Sequence, residues 1–246
     1  MLELSNISYP RRLQSVSYRA PAGRLVGVIG ANGSGKSTLL SILAGGLKKA
    51  KGAALWHSHD LFRWSPSEQR QQLAYLSQKN EFHEPVRVSD LLMTSQVNLE
   101  ESSQTLTAWR ERSIDDFHLQ TLMNRSITEL SGGEQRRVML ACVNAMNRPL
   151  ILADEPIASL DLNYQLLVMD WLKAMSGQGK LVLVALHDLA LAAQYCDELM
   201  LLHEGQLLAS GEPNQVLSDT NLALAYKVSV DWLCNRNGVA MLARRL

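Results

Sequence analysis

The sequence predicts an α/β protein built on a mostly parallel sheet with helices on both faces. The run Leu25–Ile29 has no polar side chain, which is typical of a strand buried on both faces. After Pro149, short apolar runs alternate with amphipathic segments as far as residue 209. This alternation is typical of strand–helix–strand units in a parallel sheet.

The expected elements can be placed along the chain in order. Strands are expected at 2–7, 13–20, 25–29, 53–56, 73–77, 150–153, 181–186, 198–202 and 206–209. Helices are expected at 36–44, 163–175 and 188–195, and a further short helix should close at Val216 and Leu217. Residues 80–145 contain few β-branched runs and many helix formers, so they predict a helical insert. The sequence therefore predicts one domain over 1–246, with a core of 1–79 and 146–246 interrupted by a helical subdomain of 80–145.

The composition argues against several classes of protein. The chain has 246 residues, with 24 Lys and Arg and 24 Asp and Glu, a balance unlike that of a nucleic-acid coat or a polybasic membrane anchor. We expect no secretory signal, and no apolar run approaches the roughly 20 residues of a membrane-spanning helix. Cys142, Cys196 and Cys234 have no CxxC spacing, so they are expected to be small buried residues in a reducing cytosol.

A glycine-rich loop joins the first buried strand to the first helix. Residues 30–37 read GANGSGKS and match the pattern G-x-x-x-x-G-K-[ST]. The glycines let backbone N–H groups converge on phosphate oxygens, and the helix N-terminus adds about half a positive charge. Lys36 is expected to reach the β- and γ-phosphates, and Ser37 to offer its hydroxyl to Mg²⁺. The alternative is a glycine loop that only makes a tight turn. The predicted nucleotide-binding residues are Gly30, Asn32, Gly33, Ser34, Gly35, Lys36, Ser37 and Thr38.

Two acids end a later apolar strand. Asp154 and Glu155 follow the run Leu150 to Ala153, and the carboxyl end of a core strand lies beside the phosphate loop in such a sheet. Asp154 is expected to enter the Mg²⁺ shell, and Glu155 to orient or deprotonate the attacking water. The alternative is a solvated pair that caps the following segment.

A second loop with adjacent glycines precedes another helix. Ser131 and Glu134 have the spacing of a capping box, which is one interpretation of this segment. Gly132 and Gly133 also expose backbone N–H groups at the helix start, which makes a second anion-binding position. A single ATP does not need both helix ends from one chain.

These motifs together resemble the ATP-binding cassette family. The signature of that family corresponds to residues 130–135, and the D-loop to residues 159–161. Gln78 resembles the Q-loop glutamine, a catalytic and Mg²⁺-binding residue, and His187 resembles the switch histidine. Tyr9 resembles the aromatic residue that stacks on adenine, with Tyr18 as its rival. The chain departs from the common pattern at Ala31, Ala153 and in a short segment after Tyr9.

The resemblance has consequences for architecture, partners and location. It implies a P-loop NTPase (RecA-like) core with an N-terminal antiparallel β subdomain and an inserted helical subdomain. It also implies a head-to-tail homodimer in which each ATP, with Mg²⁺, lies between one phosphate loop and Ser131, Gly132 and Gly133 of the other chain. Transmembrane permease subunits, and through them a periplasmic or extracellular substrate-binding protein, are the implied partners, with no nucleic acid. The implied location is the cytoplasmic face of the bacterial inner membrane.

The C-terminal third of the chain predicts a subgroup. The segment from His187 to Tyr226 is similar to cassettes of importers for iron–siderophores, haem and vitamin B12. Within that group, the short N-terminal region and residues 221–226 look most like the vitamin B12 importers. The alternative is that these residues are generic elements finishing the sheet.

Two other functions would also use the phosphate loop. A soluble cassette ATPase of DNA repair or translation usually carries a coiled coil, zinc cysteines or two cassettes, and this sequence shows none of these. A nucleotide kinase would leave the signature unexplained and would not need Glu155 to activate water. Hydrolysis of ATP with water as the sole acceptor would separate an ATPase from a kinase.

Overall fold

The computed structural model of the chain describes residues 1–47, 50–78, 82–235 and 238–246, with the backbone alone at 234 and 235. The strands are β1 (Leu2–Tyr9), β2 (Leu13–Ala20), β3 (Leu25–Ile29), β4 (Lys51–Trp56), β5 (His59–Asp60), β6 (Leu73–Leu76), β7 (Leu150–Asp154), β8 (Leu181–Ala185), β9 (Glu198–His203), β10 (Gln206–Gly211), β11 (Val228–Asn235) and β12 (Gly238–Arg245). The helices are α1 (Lys36–Leu43), α2 (Pro66–Gln72), α3 (Val88–Ser95), α4 (Ser103–Asp116), α5 (Gly132–Met146), α6 (Leu162–Gly177), α7 (Leu189–Tyr195), α8 (Pro213–Val216) and α9 (Asp219–Tyr226). Short 3₁₀ turns lie at Leu61–Arg63 and Ile127–Glu129.

The central sheet brings the ends of three chemistry-bearing strands to one edge. Its strand order is β10-β9-β3-β8-β7-β6, and all neighbours are parallel except β10, which pairs antiparallel with β9. Ala185 near the end of β8 is opposite Val28 of β3 on one side and Asp154 of β7 on the other. The segments that follow β3, β7 and β8 therefore emerge side by side.

Alternating side chains of the sheet divide the core into two layers. Along β7, Ile151 and Ala153 pack with residues of α5, α6 and α7, whereas Leu150 and Leu152 pack with α1 and the N-terminal strands. These side chains are buried on both faces of the sheet, which explains why β3 and residues 150–153 of β7 carry no polar side chain. The predicted helices on both faces of a parallel sheet are confirmed.

A separate antiparallel sheet covers the α1 side. Its order is β2-β1-β4-β5, and its buried residues share one apolar cluster with α1. Helices α3, α4 and α5 lie between β6 and β7 in the chain. The antiparallel sheet, the inserted helices and the parallel core together confirm the predicted fold class. The boundaries of the helical subdomain remain a prediction, and residues 79 and 80, at its start, lie outside the described chain.

The sequence did not predict helices α2 and α9, the short strand β5 or the hairpin of β11 and β12, and the reasons differ. Helix α2 is polar throughout, and local capping defines it: Ser65 and Glu68 form a reciprocal capping box, with Pro66 at the first helical position. Helix α9 follows a short loop and has little amphipathic patterning. The hairpin of β11 and β12 leaves large apolar side chains exposed, such as Leu233 and Leu242, so its pattern does not show the alternation of a half-buried strand.

Two predictions from composition concern membrane spans and cysteines. In the described parts of the chain, no helix is both long and apolar enough to cross a bilayer. Cys142 and Cys196 are buried, as predicted, and burial raises the pKa of each thiol to about 12. The side chain of Cys234 lies outside the described residues.

Candidate functional site

The glycine-rich loop between β3 and α1 leaves little room for side chains. Gly30 has a φ of 147°, and a Cβ placed there would lie 2.2 Å from the carbonyl oxygen of Leu202. Gly35, the residue before α1, has a φ of 109°, and a Cβ there would lie 2.5 Å from Leu13 Cδ2. No side chain of the described residues caps the start of α1. The first N–H groups of this helix are therefore available to an external anion.

The Lys36 ammonium group lies inside the loop. Its Nζ donates hydrogen bonds to the carbonyl oxygens of Gly30, at 2.7 Å, and Ala31, at 3.2 Å. Burial lowers the pKa of Lys36, while Glu155 and Asp154 oppose that shift. Ser34 Oγ is buried close by with no hydrogen-bond partner in the described chain. A cation, an orphaned hydroxyl and a free helix end together form a site that suits phosphate oxygens.

Ser37 and Asp154 meet at the base of this loop. Ser37 Oγ donates to Asp154 Oδ1 over 3.1 Å, and Asp154 is almost fully buried. Burial raises the pKa of Asp154, while the hydrogen bond from Ser37 opposes the rise. A hydroxyl and a carboxylate are the hard oxygen ligands that Mg²⁺ prefers, and in phosphate-binding sites it uses few protein ligands together with substrate phosphates. The side chains present therefore fit Mg²⁺.

Glu155, directly after β7, and His187, two residues after β8, form a hydrogen-bonded pair. Glu155 Oε1 lies 2.6 Å from His187 Nε2. Glu155 has a φ of 49°, in the left-handed region that non-glycine residues rarely adopt. Its backbone N–H donates to the carbonyl oxygen of Ala185 at the end of β8. The turn after β7 therefore directs the carboxylate toward the residue that follows β8.

One cavity of about 400 Å³ contains most of the predicted catalytic and nucleotide-binding residues. It is lined by Arg12, Asn32, Gly33, Gly35, Lys36, Ser37, Thr38, Gln78, Glu155 and His187. Tyr9 is not among these lining residues, and it packs instead against the apolar cluster of the antiparallel sheet. Tyr18, the rival candidate, is buried, and its hydroxyl donates to Glu198 over 2.6 Å. Tyr9, which the resemblance predicts to stack on adenine, therefore does not line this cavity.

Ser131 and Gly133 lie in a second, smaller cavity of about 140 Å³. They share it with the residues that resemble the D-loop, Ser159, Leu160 and Asp161. Gly132 faces open space, since a Cβ there would meet no atom within 4 Å. The two cavities have no lining residue in common. The two helix ends that the sequence predicts to bind anions thus open into different cavities.

The sequence analysis did not identify two arginines of this region. Arg12 lines the larger cavity from the turn between β1 and β2. Arg136, on α5, is buried and donates to carbonyl oxygens at the ends of β6 and β7. The sequence signal that could have indicated them is the pair of adjacent arginines at 11–12 and at 136–137. Such pairs usually lie on solvated surfaces.

The raised pKa of Asp154 leads to a stability prediction with a definite sign. The ionised carboxylate is less stable in the folded chain than in the unfolded chain, because burial disfavours the charge. This destabilisation is absent below the ordinary Asp pKa and complete above the raised one. We expect Asp154→Asn, which keeps an oxygen acceptor for Ser37, to raise Tm by a few degrees at neutral pH. The gain should shrink as the pH falls toward about 4.

Differential scanning calorimetry without nucleotide or Mg²⁺ measures this effect. Asp231→Asn is the matched control, because it removes an exposed carboxylate whose ion pair with Arg244 is worth little. Lower stability of Asp154→Asn at neutral pH would contradict the predicted sign.

Comparison with known proteins assigns this site to a family. The family model described as ABC transporter matches residues 13–158. The chain belongs to the ABC transporter family. It is accordingly an ABC-type ATPase, with ATP as its nucleotide.

Relatives and solved structures of the ABC transporter family cover most of the chain. A hemin import ATP-binding protein of Rhodopseudomonas palustris is 33% identical over 227 residues, which cover 89% of this chain and 85% of that protein. An achromobactin transport ATP-binding protein of Dickeya dadantii is 32% identical over 212 residues, covering 84% and 79%. A dimeric ATP-binding cassette in a post-hydrolysis state, bound to ADP and Pi, has the same fold, with a TM-score of 0.76 and 23% identity over 87% of this chain and 99% of that chain.

Proposed function

We propose that this chain is the ATP-hydrolysing subunit of a membrane importer for haem or an iron–siderophore. The observation that carries the ATPase chemistry is the larger cavity, where Lys36, Gln78, Glu155 and His187 face one space. The relatives named for hemin import and achromobactin transport support the cargo class. Neither of these names supports the vitamin B12 cargo that the C-terminal segment suggested.

The residues of the cavity suggest how they act on ATP. Lys36 Nζ would exchange its bonds to Gly30 and Ala31 for bonds to β- and γ-phosphate oxygens. Glu155 would accept a proton from the water that attacks the γ-phosphorus, so that ADP leaves and inorganic phosphate forms. His187, already 2.6 Å from the Glu155 carboxylate, would hold that carboxylate and the departing phosphate in place.

The proposed Mg²⁺ site uses three side chains of this cavity region. Ser37, Asp154 and Gln78 would hold the ion through their side-chain oxygens. Bound there, Mg²⁺ would neutralise charge on the phosphate oxygens. Asp154 must be ionised to bind Mg²⁺. The positive charge of the ion would offset the unfavourable free energy of burying the carboxylate.

We propose that the working unit is a homodimer docked on permease subunits at the cytoplasmic face of the membrane. Ser131 and Gly133 line a different cavity from Lys36. The signature residues and the phosphate loop of one chain therefore do not surround the same triphosphate. A head-to-tail pair would bring the signature of each chain to the phosphate loop of the other. A solved cassette of the same fold is dimeric, which supports pairing of two chains, and a substrate-binding protein would join through the permease.

Arg12 is the residue we expect to contact the base or the outer phosphates. It is exposed on the rim of the cavity, where a guanidinium can stack on an aromatic ring or attract an anion. Arg12→Ala should raise KM for ATP by about 2- to 5-fold, the equivalent of an exposed cation–π contact of ~0.5–1 kcal/mol. The turnover number should be almost unchanged.

Steady-state kinetics of two comparison variants make this prediction specific. Arg11→Ala removes the neighbouring exposed arginine and should leave KM unchanged. Tyr9→Phe keeps the packing of β1 and should have no effect either. An increase in KM with Tyr9→Ala but not with Arg12→Ala would return the base contact to the tyrosine.

Transport by the intact complex tests the proposed cargo. The chain would be purified with its permease subunits and reconstituted in vesicles, with ATP supplied on the side of the membrane where this chain lies. Uptake of haem, a ferric siderophore and cobalamin would then be compared, with a Glu155→Gln complex as the control for ATP dependence. Uptake of cobalamin alone would overturn the haem or siderophore proposal while leaving the ATPase intact.

A further inference from the structure

The Arg136 side chain joins α5, which we call the signature helix because it begins within residues 130–135, to the carboxyl ends of strands β6 and β7. It lies on α5, five residues after Ser131, and is only 7% exposed. Its Nη1 donates to the carbonyl oxygen of Ser77, at 2.7 Å, just after β6. Nε donates to Pro156 O at 3.1 Å, and Nη2 donates to Asp154 O at 2.6 Å and Glu155 O at 2.7 Å.

The turn held by Arg136 is a strained one. Glu155 has a left-handed backbone, at a φ of 49°, and this conformation is unfavourable for a non-glycine residue. It persists only where its surroundings impose it. Arg136 binds the carbonyl groups of Glu155 and of both its neighbours, and therefore fixes the conformation that directs the Glu155 carboxylate toward His187.

A charged group is well suited to this role. Burial lowers the pKa of Arg136 to about 10, while Asp154 and Glu155 oppose that shift, so the guanidinium is charged at neutral pH. Its planar fork can reach Ser77 and the 154–156 turn at once. Lysine offers a single ammonium nitrogen and cannot bridge both segments in this way.

We propose that Arg136 is a positioning residue, which sets the Glu155 carboxylate in place according to the docking of the signature helix on the core. The inference rests on the proposed role of Glu155 as the base. It has a consequence for the dimer. In the proposed head-to-tail dimer, an ATP bound to the partner would contact the N-terminus of α5, and Arg136 would couple that helix to the carboxylate that serves the ATP of its own chain.

Arg148 provides a matched control for a merely structural role. It is also a buried arginine, and it donates to the Gln71 carbonyl oxygen at 2.9 Å and to Glu101. Arg148 lies between the C-terminal end of α5 and the start of β7. None of its hydrogen-bond partners lines the phosphate-loop cavity or the Ser131 cavity. A general loss of packing should affect Arg136→Lys and Arg148→Lys alike.

Kinetics of the purified full chain test the proposal. Arg136→Lys should lower kcat by about 10- to 10²-fold, the cost of misplacing a reacting group by about 1 Å. Its equilibrium affinity for ATP should stay within about threefold of wild type, since the phosphate loop is untouched. Arg148→Lys should lower Tm by at least as much as Arg136→Lys does, yet keep kcat within about twofold of wild type.

A double mutant shows whether Arg136 acts through Glu155. In a Glu155→Gln background, measured by single turnover, Arg136→Lys should change the rate by less than about twofold, because residues that act as a unit are non-additive. Arg136→Gln, which keeps a planar donor, is the second variant should lysine not be tolerated.

Several outcomes would overturn the proposal. These are a folded Arg136→Lys with wild-type kcat, an equal loss of kcat in Arg148→Lys, or full additivity with Glu155→Gln. Loss of cooperative unfolding in both Arg136 variants, with Arg148→Lys folded, would assign Arg136 to folding alone. A wild-type chain with no ATPase activity would count against the proposed function instead.

Discussion

Glu155→Gln is expected to lower steady-state ATP turnover by about 10²–10⁴-fold, the usual contribution of a general base. Glutamine has the size of glutamate and can still hydrogen-bond to His187, but it cannot take the proton of the attacking water. The phosphate loop and Lys36 are untouched, so ATP should bind with nearly normal affinity. An ATP-bound dimer should therefore accumulate.

Turnover and gel filtration in ATP and Mg²⁺ give the two readouts. Glu212→Gln is a suitable control, since Glu212 is exposed before α8 and its side chain makes no capping hydrogen bond. That variant should match wild type in both measurements. Near-normal turnover of Glu155→Gln would exclude the proposed base.

Mixing Ser131→Arg with Lys36→Ala chains is expected to restore an association that each variant lacks alone. Lys36→Ala removes the cation of the phosphate loop, and Ser131→Arg places bulk at the start of α5. In a head-to-tail mixed dimer, one composite site carries both lesions and the other carries neither. The intact site should support ATP-dependent dimerisation and partial hydrolysis.

Arginine is preferred to alanine at position 131 because the backbone N–H groups of Gly132 and Gly133 could still bind phosphate after a simple truncation. Gel filtration of each variant and of the mixture, with ATP and Mg²⁺, is the measurement. If the mixture dimerised no better than either variant alone, Ser131 would not act on the partner's nucleotide.

The sequence predicted the parts of this fold whose local pattern and tertiary role agree. Strand β3 and residues 150–153 of β7 lack polar side chains because both faces of the sheet are buried. The loop 30–37 was predicted from its glycine spacing. The capping box at Ser131 was also visible, and the structure contains it, with Glu134 Oε2 2.8 Å from the Ser131 backbone nitrogen. Each of these features depends on neighbours in the chain.

The features that the sequence did not predict depend on distant contacts. Arg136 has the neighbours of an ordinary helix-surface arginine, and only the packing of α5 on β6 and β7 buries it. The hairpin β11–β12 packs on α7 and α9, which no local periodicity indicates. Tyr9 was placed in the site by the family resemblance, whereas the short turn after β1 puts Arg12 at the cavity.

The capping box at Ser131 means that the signature helix already carries an anion of its own. The Glu134 carboxylate accepts hydrogen bonds from the Ser131 backbone N–H and from its hydroxyl, each at 2.8 Å, and these bonds lower the pKa of Glu134. A γ-phosphate approaching from a partner chain would have to compete with this carboxylate for the single hydroxyl proton. Free nucleotide should therefore bind the signature weakly, and only a triphosphate already anchored elsewhere would displace the resident acceptor. Once the γ-phosphate is cleaved, Glu134 would regain the hydroxyl, and this internal competition would favour separation of the two chains.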